Sequence, residues 1–404
     1  MTYIDQWQSS PEKHIDKEEC MNRRSFVSLP AVTLAAGQLP AGPAPVFEGP
    51  SVVEGNLPVF AERLKAELDF PLSWANTRGN FGDWKRRARA QVRELLWQPE
   101  DRTPFDVEII DDQPRDGYRQ RQILFNVTRN SRVRATMLLP EGPGPFPAAL
   151  LLHDHGSKFD IGKEKLIEPW YDETRRASAQ AWATRYFEGG FVGNALVARG
   201  YAVLAVDALG WGDRGGLTYD GQQALASNMF NLGSSLAGLL AYEDMRAAAL
   251  LATLPEVDHR RIAAVGFSMG SYRAWQVAAL STHIAATVAV CWMTALKDMM
   301  VTGNNTLRGA SAFHMLHPGL ARYLDIPDVA SIAAPHPMLV FNGELDTLFP
   351  RPGVEAAYAT MRAVWASQHA SNRLATKLWP GLGHTFNLAM QEEAFTWLDR
   401  ALTR

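Results

Sequence analysis

A chain of 404 residues, 47% of them hydrophobic, can bury a sizeable core without a disulfide or metal staple. Its formal charge of −3 excludes a broad electrostatic case for a nucleic-acid partner or an anionic membrane surface. Two cysteines, Cys20 and Cys291, cannot build a disulfide framework, and neither a Cys/His zinc spacing nor an Asp-x-Asp-x-Asp-Gly calcium loop occurs.

In chain order, residues 1–46 read as a leader. Met21-Asn22-Arg23-Arg24-Ser25-Phe26-Val27 precedes a short apolar run ending at Ala36, which resembles a twin-arginine export signal and predicts a periplasmic or secreted protein. The alternative is a tail with a chance Arg-Arg pair and a cytoplasmic protein. The apolar run is too short to span a bilayer, so no membrane span is expected. Residues 47–100 are expected to form a helical extension, because Phe60, Leu64, Leu68, Trp84, Ala88, Val92 and Leu95-Leu96 recur at helical spacing over 57–98.

From 101 to 404 the pattern is that of one α/β domain. Val107–Ile110, Arg121–Val127 and Val133–Leu139 suit antiparallel strands, with turns at Asp116-Gly117 and Asn130-Ser131. Ala148–Leu152, Ala202–Val206, Ile262–Val265, Ala286–Val290, Met338–Phe341 and Thr376–Leu378 are short, apolar and mostly uncharged, with helical segments such as Leu236–Leu254, Ser271–Leu280 and Val354–Gln368 between several of them. That alternation predicts a mostly parallel, twisted sheet covered by helices on both faces, with reactive groups on loops at the carboxyl ends of strands. Two long connections, 157–198 and 292–334, exceed what a crossover needs and are the expected walls of a substrate pocket.

Gly266-Phe267-Ser268-Met269-Gly270 follows the strand Ile262–Val265 and opens a helix. A serine on so sharp a strand-to-helix turn stands clear of the sheet as a nucleophile, and the turn needs glycines on both sides. The competing interpretation is a Gly-rich helix entry with a capping serine. A serine hydroxyl requires a base to take its proton. Of ten histidines, His384 in Gly381-Leu382-Gly383-His384-Thr385 follows the last strand, where the base belongs in the chain order Ser, Asp, His. Asp346, just beyond the strand Met338–Phe341, is the expected orienting acid, with Glu344 its rival. Met269 N–H should be one oxyanion donor. The second should come from His153-Asp154-His155-Gly156 and is assigned to His155, with Asp154 its rival. His153 and His155 as metal ligands are a competing possibility for which no third and fourth ligands can be identified. His314, His317 and His336 fall in or after the second long connection and read as ordinary loop residues, with pocket lining as the alternative.

From about residue 80 onward the chain resembles the α/β-hydrolase superfamily, in its dienelactone-hydrolase and acetyl-xylan-esterase-like branch. The residues that carry the likeness are His153-Asp154-His155-Gly156, Gly162-Lys163-Glu164-Lys165, Pro255-Glu256-Val257-Asp258 leading into Gly266–Gly270, Asp346 and His384. The resemblance implies a serine esterase that cleaves carboxylic esters through an acyl-serine, with no metal or organic cofactor. Asp154 departs from the family pattern, where glycine is usual, and sets a carboxylate near the developing negative charge unless it points away. Lys163, Trp211 and Trp292 are the candidates for substrate contact; the alternative is a solvated charged loop with its aromatics in the core. Bulky side chains in the long connections predict a short-acyl or carbohydrate-type ester as the small-molecule partner. A peptidase or amidase with the same triad, and a non-catalytic binding protein on a hydrolase fold, are the alternatives.

Overall fold

The computed structural model describes residues 62–403 except 97, 302–305 and 307–309. The leader, Cys20 and the Arg23-Arg24 pair therefore lie outside the described residues. Among those described, nine strands form a single sheet in the order β1-β2-β3-β5-β4-β6-β7-β8-β9. Strands β1 (Glu108–Arg115), β2 (Tyr118–Thr128) and β3 (Ser131–Pro140) make an antiparallel meander. From β4 (Phe146–Leu152) and β5 (Ala202–Val206) through β6 (Val257–Phe267), β7 (Ala286–Val290), β8 (Met338–Gly343) and β9 (Leu374–Trp379), neighbouring strands run parallel.

The inner parallel strands are largely apolar on both faces because both faces are covered, whereas the edge strand β9 is half-buried and carries Lys377. In β4, Ala148, Leu150 and Leu152 point into one core layer while Ala149 and Leu151 point into the other. The first layer holds side chains of α1 (Phe81–Leu96), α5 (Leu236–Leu251), α6 (Met269–Leu280), α8 (Ile326–Ser331) and α9 (Arg351–Ser367). Residues of α2 (Glu173–Tyr186), α3 (Val192–Ala198) and α10 (Leu388–Leu402) fill the second. Two further helices, α4 (Tyr219–Asn231) and the single turn α7 (Leu296–Met299), lie in connections.

Of the stretch 57–98, residues 57–61 and 97 lie outside the described residues, and the rest forms α1 and a short helical turn at 62–66, with turns between them. Helix α1 presents Trp84, Ala88, Val92 and Leu96 to the core at helical spacing, and its Arg89 and Arg93 donate to Ala279 O and Leu280 O at the end of α6. Helix α6 differs: all twelve of its residues are buried, so it is packed from every direction. A helix clamped in this way holds whatever stands at its N-terminus in a fixed place.

Candidate active site

Four loops at the carboxyl ends of β4, β6, β8 and β9 supply the catalytic and oxyanion candidates singled out above. The first is the turn from β6 into α6. Ser268 adopts φ 55° and ψ −126°, and its N–H donates to Val290 O at 2.8 Å. A Cβ on Gly266 would stand 2.0 Å from Gly270 O, and one on Gly270 would stand 1.8 Å from Leu152 O. Only glycine fits either place. Ser268 makes no side-chain capping bond to α6, so the capping-serine interpretation does not describe it. By contrast Asp172, Ser235 and Asn387 do cap α2, α5 and α10.

The freed hydroxyl is engaged elsewhere. His384 Nε2 lies 2.8 Å from Ser268 Oγ, and His384 Nδ1 lies 2.6 Å from Asp346 Oδ2. With the carboxylate accepting from Nδ1–H, Nε2 is left as an acceptor for the serine proton. The imidazole packs between Phe267 and Phe349, with ring centroids at 4.8 and 6.3 Å. Asp346 is held in turn by Leu348 N–H on Oδ1 at 3.1 Å. Glu344 goes elsewhere, pairing with Arg351 and accepting Gly381 N–H. Buried Cys291 lies beside this line and donates to Thr385 O at 3.3 Å.

The loop after β4 faces the nucleophile turn. His153 is fully buried, and its Nδ1 donates to Asp154 O at 2.9 Å while Nε2 accepts Ala208 N–H at 2.9 Å. Burial, reinforced by the nearby Arg273 and Lys165 cations, pushes His153 well below the ordinary histidine value. Both ring nitrogens of this neutral imidazole are committed, which leaves no lone pair for a metal. His155 Nε2 bonds Gln222 Oε1 at 2.8 Å, and His155 Nδ1 accepts Ser157 N–H at 3.2 Å. Asp154, the departure from the family pattern, turns its carboxylate toward Trp182 Nε1 at 3.1 Å and Lys165 Nζ at 3.5 Å. Its charge is thus countered by a buried cation. Met269 N–H is the first amide of α6 and has no acceptor in the preceding turn of a helix.

The three residues expected to touch substrate do not face an open pocket. Lys163 is completely buried, and its Nζ donates to Glu164 at 2.9 Å, Asp207 at 2.8 Å and Asp213 at 2.7 Å. Burial alone would depress its pKa, but Asp207 and Glu164 overcome that and hold it above the ordinary lysine value. Glu164, Asp207 and Asp213 are close enough together to hold a cation, and the Lys163 ammonium is that cation. Trp211 has no exposed surface and donates to His155 O at 3.0 Å. Trp292 is 2% exposed and packs on Tyr272, Trp275 and Phe349. All three support the site from behind. Trp170 and Tyr171, in the connection 157–198, are likewise tied back to Asp111 and Glu164.

Sequence reasoning missed Arg273, one helical turn after Ser268, which makes a buried two-pronged pair with Asp244 at 2.7 and 2.9 Å and reaches His153 O at 3.3 Å. It also took His314 for an ordinary loop residue. The structure buries it against His155 and Trp211, at centroid distances of 5.5 and 4.8 Å. Neither had a local signal, since their partners come from distant segments.

The Abhydrolase family matches residues 54–374, most of the chain. The chain belongs to that family. Among curated proteins it is 28% identical over 315 residues to YtaP of Bacillus subtilis (strain 168), whose name places it with the hydrolases; the alignment covers 78% of this chain and 98% of YtaP. The sheet order and the four carboxyl-end loops are therefore those of an α/β-hydrolase. Solved structures share the fold at low identity. A Bacteroides fragilis NCTC 9343 protein described as an acetyl xylan esterase aligns with TM-score 0.60 and 18% identity, over 80% of this chain and 81% of its own. A glucuronoyl esterase from Solibacter usitatus aligns with TM-score 0.57 and 14% identity, over 80% and 93%.

Proposed function

We propose that this α/β-hydrolase cleaves carboxylic esters through an acyl-serine intermediate, with Ser268 as nucleophile, His384 as general base and Asp346 as the acid that orients it. The observation that carries this reading is the continuous hydrogen-bonded line from Ser268 Oγ through His384 to Asp346. In the first half-reaction Ser268 Oγ attacks the ester carbonyl carbon while its proton passes to His384 Nε2. The tetrahedral oxyanion is received by the N–H groups of Met269 and His155, a contribution of about 3–4 kcal/mol per donor where such donors have been measured. Collapse breaks the bond to the alkoxy oxygen, which leaves as the alcohol with the proton from His384. Water then repeats the sequence on the acyl-serine and releases the acid and free Ser268. The esterase descriptions of the structural relatives support an acetyl or sugar-derived ester as substrate. The Arg23-Arg24 pair supports export.

The test is hydrolysis of p-nitrophenyl acetate, p-nitrophenyl butyrate and acetyl p-nitroanilide by the protein and by Ser268→Ala. Both esters should turn over, with the anilide far slower. Ser268→Ala should fall below about a hundredth of the parent rate, since loss of a triad member usually costs far more. A variant that keeps its activity would overturn the assignment.

A further inference from the structure

Lys165 is a fully buried lysine that the proposed chemistry does not use. Its Nζ donates to Asp154 O and to His155 O, both at 2.9 Å, and stands 3.5 Å from Asp154 Oδ2. The ammonium is walled by two indoles, 5.0 Å from the Trp182 ring and 5.9 Å from the Trp211 ring. Those indoles bond the same loop, Trp182 to the Asp154 carboxylate and Trp211 to His155 O. A lysine this deep needs a reason, because burying an ammonium costs several kcal/mol unless its surroundings replace water.

The reason lies in peptide geometry. Asp154 O and His155 N–H belong to one planar trans peptide, so they point in opposite directions. Fixing the carbonyl therefore aims the amide. Lys165 holds that carbonyl together with His153 Nδ1, and it holds the next carbonyl, His155 O, at the same time. Two successive peptide planes are locked by one ammonium. Gly156, at φ 57°, completes the bend, because a Cβ there would stand 2.1 Å from the Trp182 ring.

We propose that Lys165 is a positioning residue that aims the His155 N–H at the oxyanion by pinning the Asp154 and His155 carbonyls, with the Asp154 carboxylate present to balance its charge. This rests on the ester-hydrolase reading above. It accounts for both oddities of the loop, the aspartate in place of glycine and the buried lysine eleven residues beyond it, as one charge-balanced device.

The experiment compares Lys165→Met, which keeps chain length, with Lys165→Met/Asp154→Asn, which removes both charges so that an unpaired carboxylate cannot unfold the protein. Active sites are counted with a fluorophosphonate, and kcat and KM for p-nitrophenyl acetate are expressed per labelled site. Affinity for a trifluoromethyl ketone, whose adduct carries an oxyanion, is measured alongside. Deleting an oxyanion donor outright costs about 100- to 1,000-fold in kcat. A misaimed donor should cost about 10- to 100-fold per labelled site in the double variant, with KM changed by less than about threefold and ketone affinity reduced in step with kcat. A double variant with parental kcat per site and ketone affinity would overturn the proposal and leave Lys165 as a charge partner only. Failure of the unmodified protein to label or to hydrolyse esters would sink the ester-hydrolase reading itself, and this proposal with it.

Discussion

Replacing Lys163 by methionine separates a substrate-binding lysine from a structural one. The side chain keeps its length and loses the ammonium that bonds three carboxylates. The three do not suffer equally. Glu164 retains Arg175 at 3.0 Å and the Tyr171 hydroxyl, and Asp213 retains Arg175 at 2.7 Å and is partly exposed. Asp207 has no exposed side-chain surface, and its remaining carboxylate bonds come from the backbone N–H groups of Lys163 and Asp213. Leaving one buried ion without its partner costs about 3–5 kcal/mol. That is a large part of a typical folding free energy of about 5–15 kcal/mol, and in a chain of this size it lowers Tm by about 4–6 °C. Lys163→Met/Asp207→Asn should recover most of the loss, because the uncompensated charge is then gone. In folded protein at 20 °C, KM for p-nitrophenyl butyrate should stay within about twofold of the parent, since a group without exposed surface cannot bind substrate. Thermal melts and initial rates on the same samples decide the matter. Unchanged Tm with a tenfold higher KM would return Lys163 to the pocket.

The two acids after β8 should separate sharply in activity. Asp346→Asn removes the carboxylate that fixes the useful His384 tautomer and should lower kcat by about 1,000-fold or more, whereas Glu344→Gln loses only a half-exposed pair with Arg351 and should stay within about twofold. Steady-state kinetics that reversed this ranking would exchange their roles. Stability should also fall in mild acid. Burial holds His155 at about 4 and His314 at about 3, below the ordinary 6.5. The unfolded chain therefore takes up protons that the folded one refuses, so stability is full above pH 6.5 and is lost as pH falls toward those values, by about 2 kcal/mol at pH 5 for His155 alone. Urea unfolding at pH 7.5 and 5.0 checks the sign. His314→Phe should make the pH dependence shallower, and an unchanged or steeper dependence would count against a buried neutral imidazole there.

The strand pattern, the glycine-flanked turn at Ser268 and the order Ser268, Asp346, His384 were legible in the sequence because each depends on a few neighbouring residues. A strand buried on both faces must be largely apolar, as Ala148–Leu152 is throughout and Ala286–Val290 is apart from Thr287. A turn whose neighbouring Cβ atoms would collide must carry glycine, as Gly266 and Gly270 do. Tertiary structure alone decided the fate of the charged residues. Lys163 reads as a solvated or substrate-facing lysine until the chain 44 and 50 residues away brings Asp207 and Asp213 to it. Asp154 reads as a threat to an oxyanion until Lys165 is seen to turn its carboxylate and hold its carbonyl. Helical turns and glycine bends are local steric events and leave a local mark. Whether a buried charge is countered depends on the low-dielectric surroundings and on partners brought in by the fold, and for Lys163 those partners are too far along the chain to leave a pattern in its own segment.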